Sequence, residues 1–190
     1  MKKIILLFLV GTLQCFSQTI SYENFKSLIP YLQIEDWDSA FKESEILLNN
    51  VEKDSSEFKA ITIYINIYSA AGMVANGKMT YEELEKKIML FQGQNIIMLA
   101  HPIRKEKDSS LNFTKLISSK EAFTIAANKK GINILCFEKI YFKEDINIQE
   151  LNDPFIRCGG ILDKIEMNPN KSDIWILRLT VKDAFVRKTN

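Results

Sequence analysis

The segment 155–186, FIRCGGILDKIEMNPNKSDIWILRLTVKDAFV, decides the fold class of this chain. It contains two runs rich in branched and aromatic residues, 155–167 and 174–186, which are typical of β-strands. The polar stretch between them, NPNKSD (168–173), has the composition of a hairpin turn. The segment therefore predicts two antiparallel strands, with the paired glycines of the first run marking a bulge or a tight bend.

Alternation along the second run assigns its side chains to two faces. Trp175, Leu177 and Leu179 share one face, and Arg178 lies on the other. We expect Trp175 to line the core with the two leucines and Arg178 to point outward.

Four further strand-like runs precede this hairpin, all of them after Gly93 and all separated by turn residues. The loop NKKG (128–131) resembles a hairpin connection in which Gly131 supplies a positive φ. The four runs are NIIMLAHPI (95–103), LNFTKLI (111–117), EAFTIAAN (121–128) and INILCFEKIYF (132–142).

Before Gly93 the hydrophobic period is that of helices. Ser21 is placed to cap the first helix, and Pro30 is expected to bend or interrupt it. Thr80 followed by Glu83 is a capping box for the last helix. The expected helices cover about 21–29, 36–51, 57–76 and 80–91.

Two family resemblances follow from these motifs. The C-terminal runs, with Gly159 or Gly160 in one and Asp183-Ala184-Phe185-Val186 ending the other, resemble the last two strands of bacterial OB-fold modules of the tRNA-anticodon-binding-like class. The stretch DWDSAFKESEILLNNV (36–51) weakly resembles a tetratricopeptide-type helical hairpin. The long 101–120 connection departs from the OB pattern, so a roll or an open six-stranded sheet remains an alternative.

The expected fold class is α+β, in which N-terminal helical hairpins are followed by a small OB-like antiparallel β-barrel or roll. The predicted divisions are a signal peptide (1–17), a helical segment (18–92) and an OB-like β domain (93–190). The two halves are expected to pack together, because four short helices alone bury too little apolar surface.

The N-terminus predicts export. Lys2 and Lys3 precede an apolar run that is too short to cross a bilayer, and Cys15-Phe16-Ser17 satisfies the small-x-small cleavage rule. Cleavage would then leave Gln18 or Thr19 first. Lipidation of Cys15 is the less favoured alternative, because a lipobox requires a small residue where Gln14 stands. No later segment is expected to span a membrane, so the protein would be periplasmic or secreted.

Charge and cysteine content narrow the function classes. Loss of the two N-terminal lysines changes the formal net charge from +1 to −1, which makes nucleic acid an unlikely partner. Cys136 and Cys158 remain, both inside apolar runs; two buried thiols are favoured over a disulfide, which stays open.

No catalytic or metal-binding constellation is visible. His101 is the single histidine of the chain, and the sequence contains neither a nucleophile elbow, nor a phosphate loop, nor zinc-ligand spacing. We expect a hydrogen-bonded His101 at the end of a strand, no enzyme activity and no cofactor.

A binding function remains. OB-folds bind ligands on one sheet face and its adjoining loops, and we predict binding by the basic side chains Arg104, Lys105, Lys129, Lys130 and Arg178. The aromatic residues Phe113, Phe123, Phe137 and Trp175 are assigned mostly to the core. We expect an exported, non-enzymatic protein that recognises another envelope protein or an envelope ligand. The alternatives are an OB module for oligosaccharide or nucleic acid, and an inhibitor or immunity protein against an exported toxin.

Overall fold

The computed structural model describes residues 19–49, 51, 56–104, 111–130, 132–147 and 155–188. The predictions on the signal peptide, Cys15, Lys105 and Gly131 lie outside these residues. The helices are α1 (Tyr22–Lys26), α2 (Leu28–Ile34), α3 (Trp37–Asn49), α4 (Glu57–Ala75) and α5 (Tyr81–Ile88), with a 3-10 turn at Met89–Phe91. The strands are β1 (Asn95–Ile97), β2 (His101–Pro102), β3 (Phe113–Leu116), β4 (Glu121–Ala127), β5 (Ile134–Phe142), β6 (Phe155–Met167) and β7 (Trp175–Lys188).

Local capping chemistry sets the starts of three helices. Ser21 and Ser56 each accept a hydrogen bond from the backbone N–H three residues on. Thr80 and Glu83 form the reciprocal capping box at the start of α5, as predicted. Each bond satisfies a backbone donor that has no partner inside the helix.

The prediction for Pro30 is wrong. The chain breaks at Ser27, and Pro30 lies inside the first turn of α2. A proline is tolerated there because the first N–H groups of a helix need no intrahelical acceptor. The expected first helix is therefore two short helices, and the break precedes the proline.

Helix α4 is the central element of the helical layer, and every side chain from Ala60 to Met73 is buried or nearly so. Trp37 of α3 packs on it where Gly72 leaves room, since a Cβ at Gly72 would lie 2.5 Å from the indole ring. By length and a mean hydropathy of 1.2, α4 could cross a membrane, contrary to our expectation that no later segment is so apolar. However, 78% of that window is buried inside the protein, as in the core helix of a globular domain.

The six strand-like runs of the sequence all form strands, joined in one seven-stranded sheet. The order is β1-β6-β7-β5-β4-β3, with β2 also pairing β6. All pairs are antiparallel except β5 and β7, which run parallel. β5 and β6 follow one another along the chain, but β7 lies between them in the sheet, so the connection from β5 to β6 passes across β7.

The sheet does not close, and the OB-like barrel is not confirmed. Its two sides approach each other at one isolated bridge between Ile103 and Thr114, with a 2.9 Å hydrogen bond from the Arg104 N–H to the Thr114 carbonyl. A single bridge is not a strand pair. The architecture is helices followed by an open mixed sheet, which keeps the α+β class.

The helical layer covers one face of the sheet, and both halves contribute to one hydrophobic cluster. Tyr64 and Ile67 of α4 belong to the same buried set as Cys136 and Leu177 of the strands. The predicted bulge is present between Gly159 and Ile161. Beside it, a Cβ on Gly160 would lie 2.7 Å from the Lys182 carbonyl oxygen, so the two long strands approach closely there.

Candidate ligand-binding face

The face of the sheet that points away from the helices carries two parallel rows of side chains, each crossing five strands. The register places one residue of β3, β4, β5, β7 and β6 side by side in each row. The first, the lysine row, consists of Lys115, Phe123, Lys139, Thr180 and Lys164. The second, the aromatic row, consists of Phe113, Ile125, Phe137, Arg178 and Glu166.

Three aromatic rings form a continuous cluster on this outer face. Phe123 and Phe137 stack with ring centroids 5.6 Å apart and an interplanar angle of 22°. Trp175 meets Phe137 edge-on at 5.9 Å. All three are half-buried. Of the four aromatic residues that we assigned mostly to the core, only Phe113 is buried.

The position of Trp175 contradicts our prediction. Its indole lies against Phe137 and Arg178 on the outer face, whereas Leu177 and Leu179 are fully buried. Strict alternation would bury only one of the adjacent residues Ile176 and Leu177, but both are fully buried. The alternation therefore breaks at this point, and Trp175, which precedes it, lies on the outer face. Arg178 lies on the outer face, as predicted.

Two arginines cover aromatic rings of the face. The Arg178 guanidinium carbon lies 5.4 Å from the Trp175 ring centroid, and that of Arg104 lies 4.3 Å from the Phe113 centroid. Both distances are within the range of cation–π attraction. The rings thus hold two positive charges along the aromatic row.

Glu166 is the carboxylate of the aromatic row. It accepts a 2.9 Å hydrogen bond from the Lys164 ammonium group, and this bond is the main reason that its pKa is lowered. The charges of Arg178 and Lys139 lower the pKa further. Glu121 of β4 is half-buried on the same face. Among the described residues, the two rows and their neighbours carry five cationic side chains and the carboxylates of Glu121 and Glu166, and the adjoining Lys182 and Asp163 pair with each other. The described part of the face is therefore positive.

The structure separates the predicted binding residues. Arg104 and Arg178 belong to the outer face. The backbone N–H of Lys129 donates to Glu35 at 2.5 Å and its ammonium group donates to the Gln33 carbonyl, which ties it to the end of α2. Lys130 is exposed in the β4–β5 turn.

The sequence analysis did not identify the lysine row, and it assigned all three rings of the cluster mostly to the core. Lys115, Lys139 and Lys164 come from three strands that are far apart in sequence. Alternation within each strand could have assigned them to a face. Only the strand order and the register show that they fall in one line.

A buried polar pair lies on the opposite face, between sheet and helices. The Tyr64 hydroxyl donates a 2.6 Å hydrogen bond to Glu138 Oε1, and both side chains are fully buried. Burial raises the pKa of Glu138 to about 8, although the bond from Tyr64 opposes this rise. Glu138 is therefore neutral at pH 7, and burial also raises the pKa of the neighbouring Cys136 thiol.

His101 is buried in strand β2. Burial lowers its pKa to about 4, and its Nε2 atom has no hydrogen-bond partner among the described residues. It was predicted at the end of a strand and lies in the two-residue strand β2, but the expected hydrogen bond is not seen at Nε2. Within the same part of the chain, no group of three or more His, Cys, Asp and Glu side chains is placed to hold a metal ion. Cys136 and Cys158 are buried free thiols.

Comparison with known proteins gives no relative on which an assignment could rest. The chain matches no protein-family model, no curated protein sequence and no solved structure.

Proposed function

We propose that this chain is an exported, non-enzymatic binding protein of the cell envelope, and that the outer face of its sheet is the ligand site. The observation that carries the proposal is the cluster of half-buried rings beside cationic side chains. Phe123, Phe137 and Trp175 lie in mutual contact, with Arg178 against the indole and Lys139 in the adjoining row.

The charge of this face favours an anionic envelope ligand over a protein partner. Among the described residues, cationic side chains outnumber carboxylates on this face, and Lys115 and Lys139 are both exposed. Lysine is depleted from the centres of protein–protein interfaces, whereas here Lys139 occupies the middle strand of the row. Charge complementarity would steer an anion to the face and would weaken with salt.

Sedimentation with envelope material tests the proposal. The chain without its predicted leader is mixed with washed cell-envelope fragments, and the bound fraction is measured against a Lys139→Gln/Arg178→Gln variant. A Lys78→Gln/Lys86→Gln variant, changed in the helical half, is the matched control. We expect the first variant to lose most binding and the control to keep it. Equal retention of all three proteins would refute the outer face as the site.

A further inference from the structure

The lysine row has a spacing that suggests what it binds. We propose that it holds a linear acidic polysaccharide in which charged and neutral sugars alternate, with one anionic group against each lysine. This inference rests on the proposed function and names the ligand of the same face.

Alternate strands carry the three charges. Lys115 lies on β3, Lys139 on β5 and Lys164 on β6, and one strand stands between each pair. Because neighbouring strands are about 4.8 Å apart, successive lysine Cα atoms lie about 10 Å apart along a line across the sheet. A polymer that repeats its anionic group every second sugar meets the row at a comparable interval.

The lysines are available to such a ligand. Lys115 and Lys139 are exposed and form no ion pair within the part of the chain that the structure describes. Lys164 is exposed, and its ammonium group forms an ion pair with Glu166. An exposed ion pair of this kind adds little to the stability of the protein, so a ligand carboxylate or sulfate can compete for the Lys164 ammonium group.

The positions between the lysines suit uncharged sugars. Phe123 separates Lys115 from Lys139, and Thr180 separates Lys139 from Lys164. The half-buried phenyl ring offers an apolar contact for the C–H groups of a sugar. The threonine hydroxyl can both donate and accept a hydrogen bond. The row therefore alternates charge with neutral contact, as the proposed ligand does.

The ring geometry disfavours single-stranded nucleic acid. Bases bind such surfaces by stacking on exposed aromatic faces. Phe123 and Phe137 stack on each other, and Arg178 lies over the Trp175 ring. Part of each ring face is therefore already occupied by a neighbouring side chain.

The experiment measures binding to hyaluronate, a linear polysaccharide with one carboxylate in each disaccharide. Isothermal titration compares the full chain without its leader, a Lys115→Gln/Lys139→Gln/Lys164→Gln variant, and a Lys42→Gln/Lys78→Gln/Lys86→Gln variant that makes the same charge change in the helical half. Dextran, poly-L-glutamate and oligo-dT are the neutral, peptide and nucleic-acid probes. Circular dichroism verifies that each variant is folded.

We expect the parent and the helical-half variant to bind hyaluronate equally well. The Lys115→Gln/Lys139→Gln/Lys164→Gln variant should bind it about tenfold more weakly or not at all, and its binding should depend less on salt concentration. Dextran should not bind. Stronger binding of poly-L-glutamate or oligo-dT than of hyaluronate would overturn the ligand class, and so would equal loss in both variants. If hyaluronate fails while envelope fragments are still retained through Lys139 and Arg178, this inference is wrong and the proposed function stands. If that retention fails too, both are wrong.

Discussion

Replacing Glu138 by glutamine should stabilise the protein, and the gain should depend on pH. Glu138 is fully buried between the sheet and α4, and its contact of 2.6 Å is with the Tyr64 hydroxyl. A glutamine of nearly the same shape keeps an oxygen that accepts this bond and carries no charge at any pH. Its NH2 group takes the place of Oε2, which has no hydrogen-bond partner among the described residues. The substitution thus removes the titration and leaves the packing in place.

The sign follows from proton binding. The pKa of Glu138 is about 8 in the folded protein against 4.5 for an ordinary glutamate. Between these values the unfolded chain has lost the proton and the folded chain keeps it, so the free energy of unfolding falls as pH rises through this window. At about 1.4 kcal/mol per pKa unit, the loss is about 3 kcal/mol by pH 7 and about 5 kcal/mol above pH 8.

Denaturant unfolding at pH 4.5, 6, 7.5 and 9, followed by tryptophan fluorescence, would measure this effect. Glu138→Gln should match the parent at pH 4.5 to within about 1 kcal/mol and exceed it by several kcal/mol at pH 9. His101 titrates with the opposite sign, since its pKa is lowered to about 4, but its contribution cancels when variant and parent are compared at one pH. Glu144→Gln, an exposed control, should stay within about 0.5 kcal/mol throughout.

A pH-independent difference between Glu138→Gln and its parent would refute the reasoning. So would a variant that is less stable than the parent at pH 9. The first result would mean that the pKa of Glu138 is not raised in the folded protein. The second would mean that burying the unpaired amide N–H groups of glutamine costs more free energy than burying the charge.

Three other predictions follow from the packing and the sequence. Trp175→Ala should lower the free energy of unfolding by about 1–2 kcal/mol, because the ring is half-buried. Trp37→Ala, in the core, should lower it by about 3–5 kcal/mol. Equal losses in thermal or denaturant unfolding would contradict the outer position of Trp175. Gly72→Ala should lower the melting temperature, with a cost of about 1–3 kcal/mol, because its Cβ would lie 2.5 Å from the Trp37 ring; an unchanged melting temperature would contradict this contact. The proposed export predicts that the intact mass of the mature protein corresponds to a chain that begins unlipidated at Gln18 or Thr19. A diacylated Cys15 would contradict this prediction and would place the protein in a membrane leaflet.

The features that could be predicted from the sequence are those set by neighbouring residues. The caps at Ser21 and Thr80 depend on contacts three residues away, and the strand-like runs depend on composition within each run. The pairing of strands is different. β5 and β6 follow one another in the chain, yet β7 lies between them and runs parallel to β5. No local pattern records that crossover, so composition and alternation predict the strands and the α+β class but not the mixed, open arrangement of the sheet.

The candidate site also depends on long-range contacts that local sequence patterns do not record, as the position of Trp175 shows. Alternation along β7 predicts the faces correctly from Leu177 to Lys182, before Asp183 interrupts it with a positive φ, but the first residues of the strand are set by contacts from elsewhere. The Asn168 side chain donates a 2.8 Å hydrogen bond to the Trp175 carbonyl, and the Tyr81 hydroxyl donates a second at 3.3 Å. With that backbone held and both following side chains buried, the indole turns to the outer face. The aromatic cluster therefore exists because a turn residue and a helix residue fix the start of a strand, and these long-range contacts are invisible in the period of the strand itself.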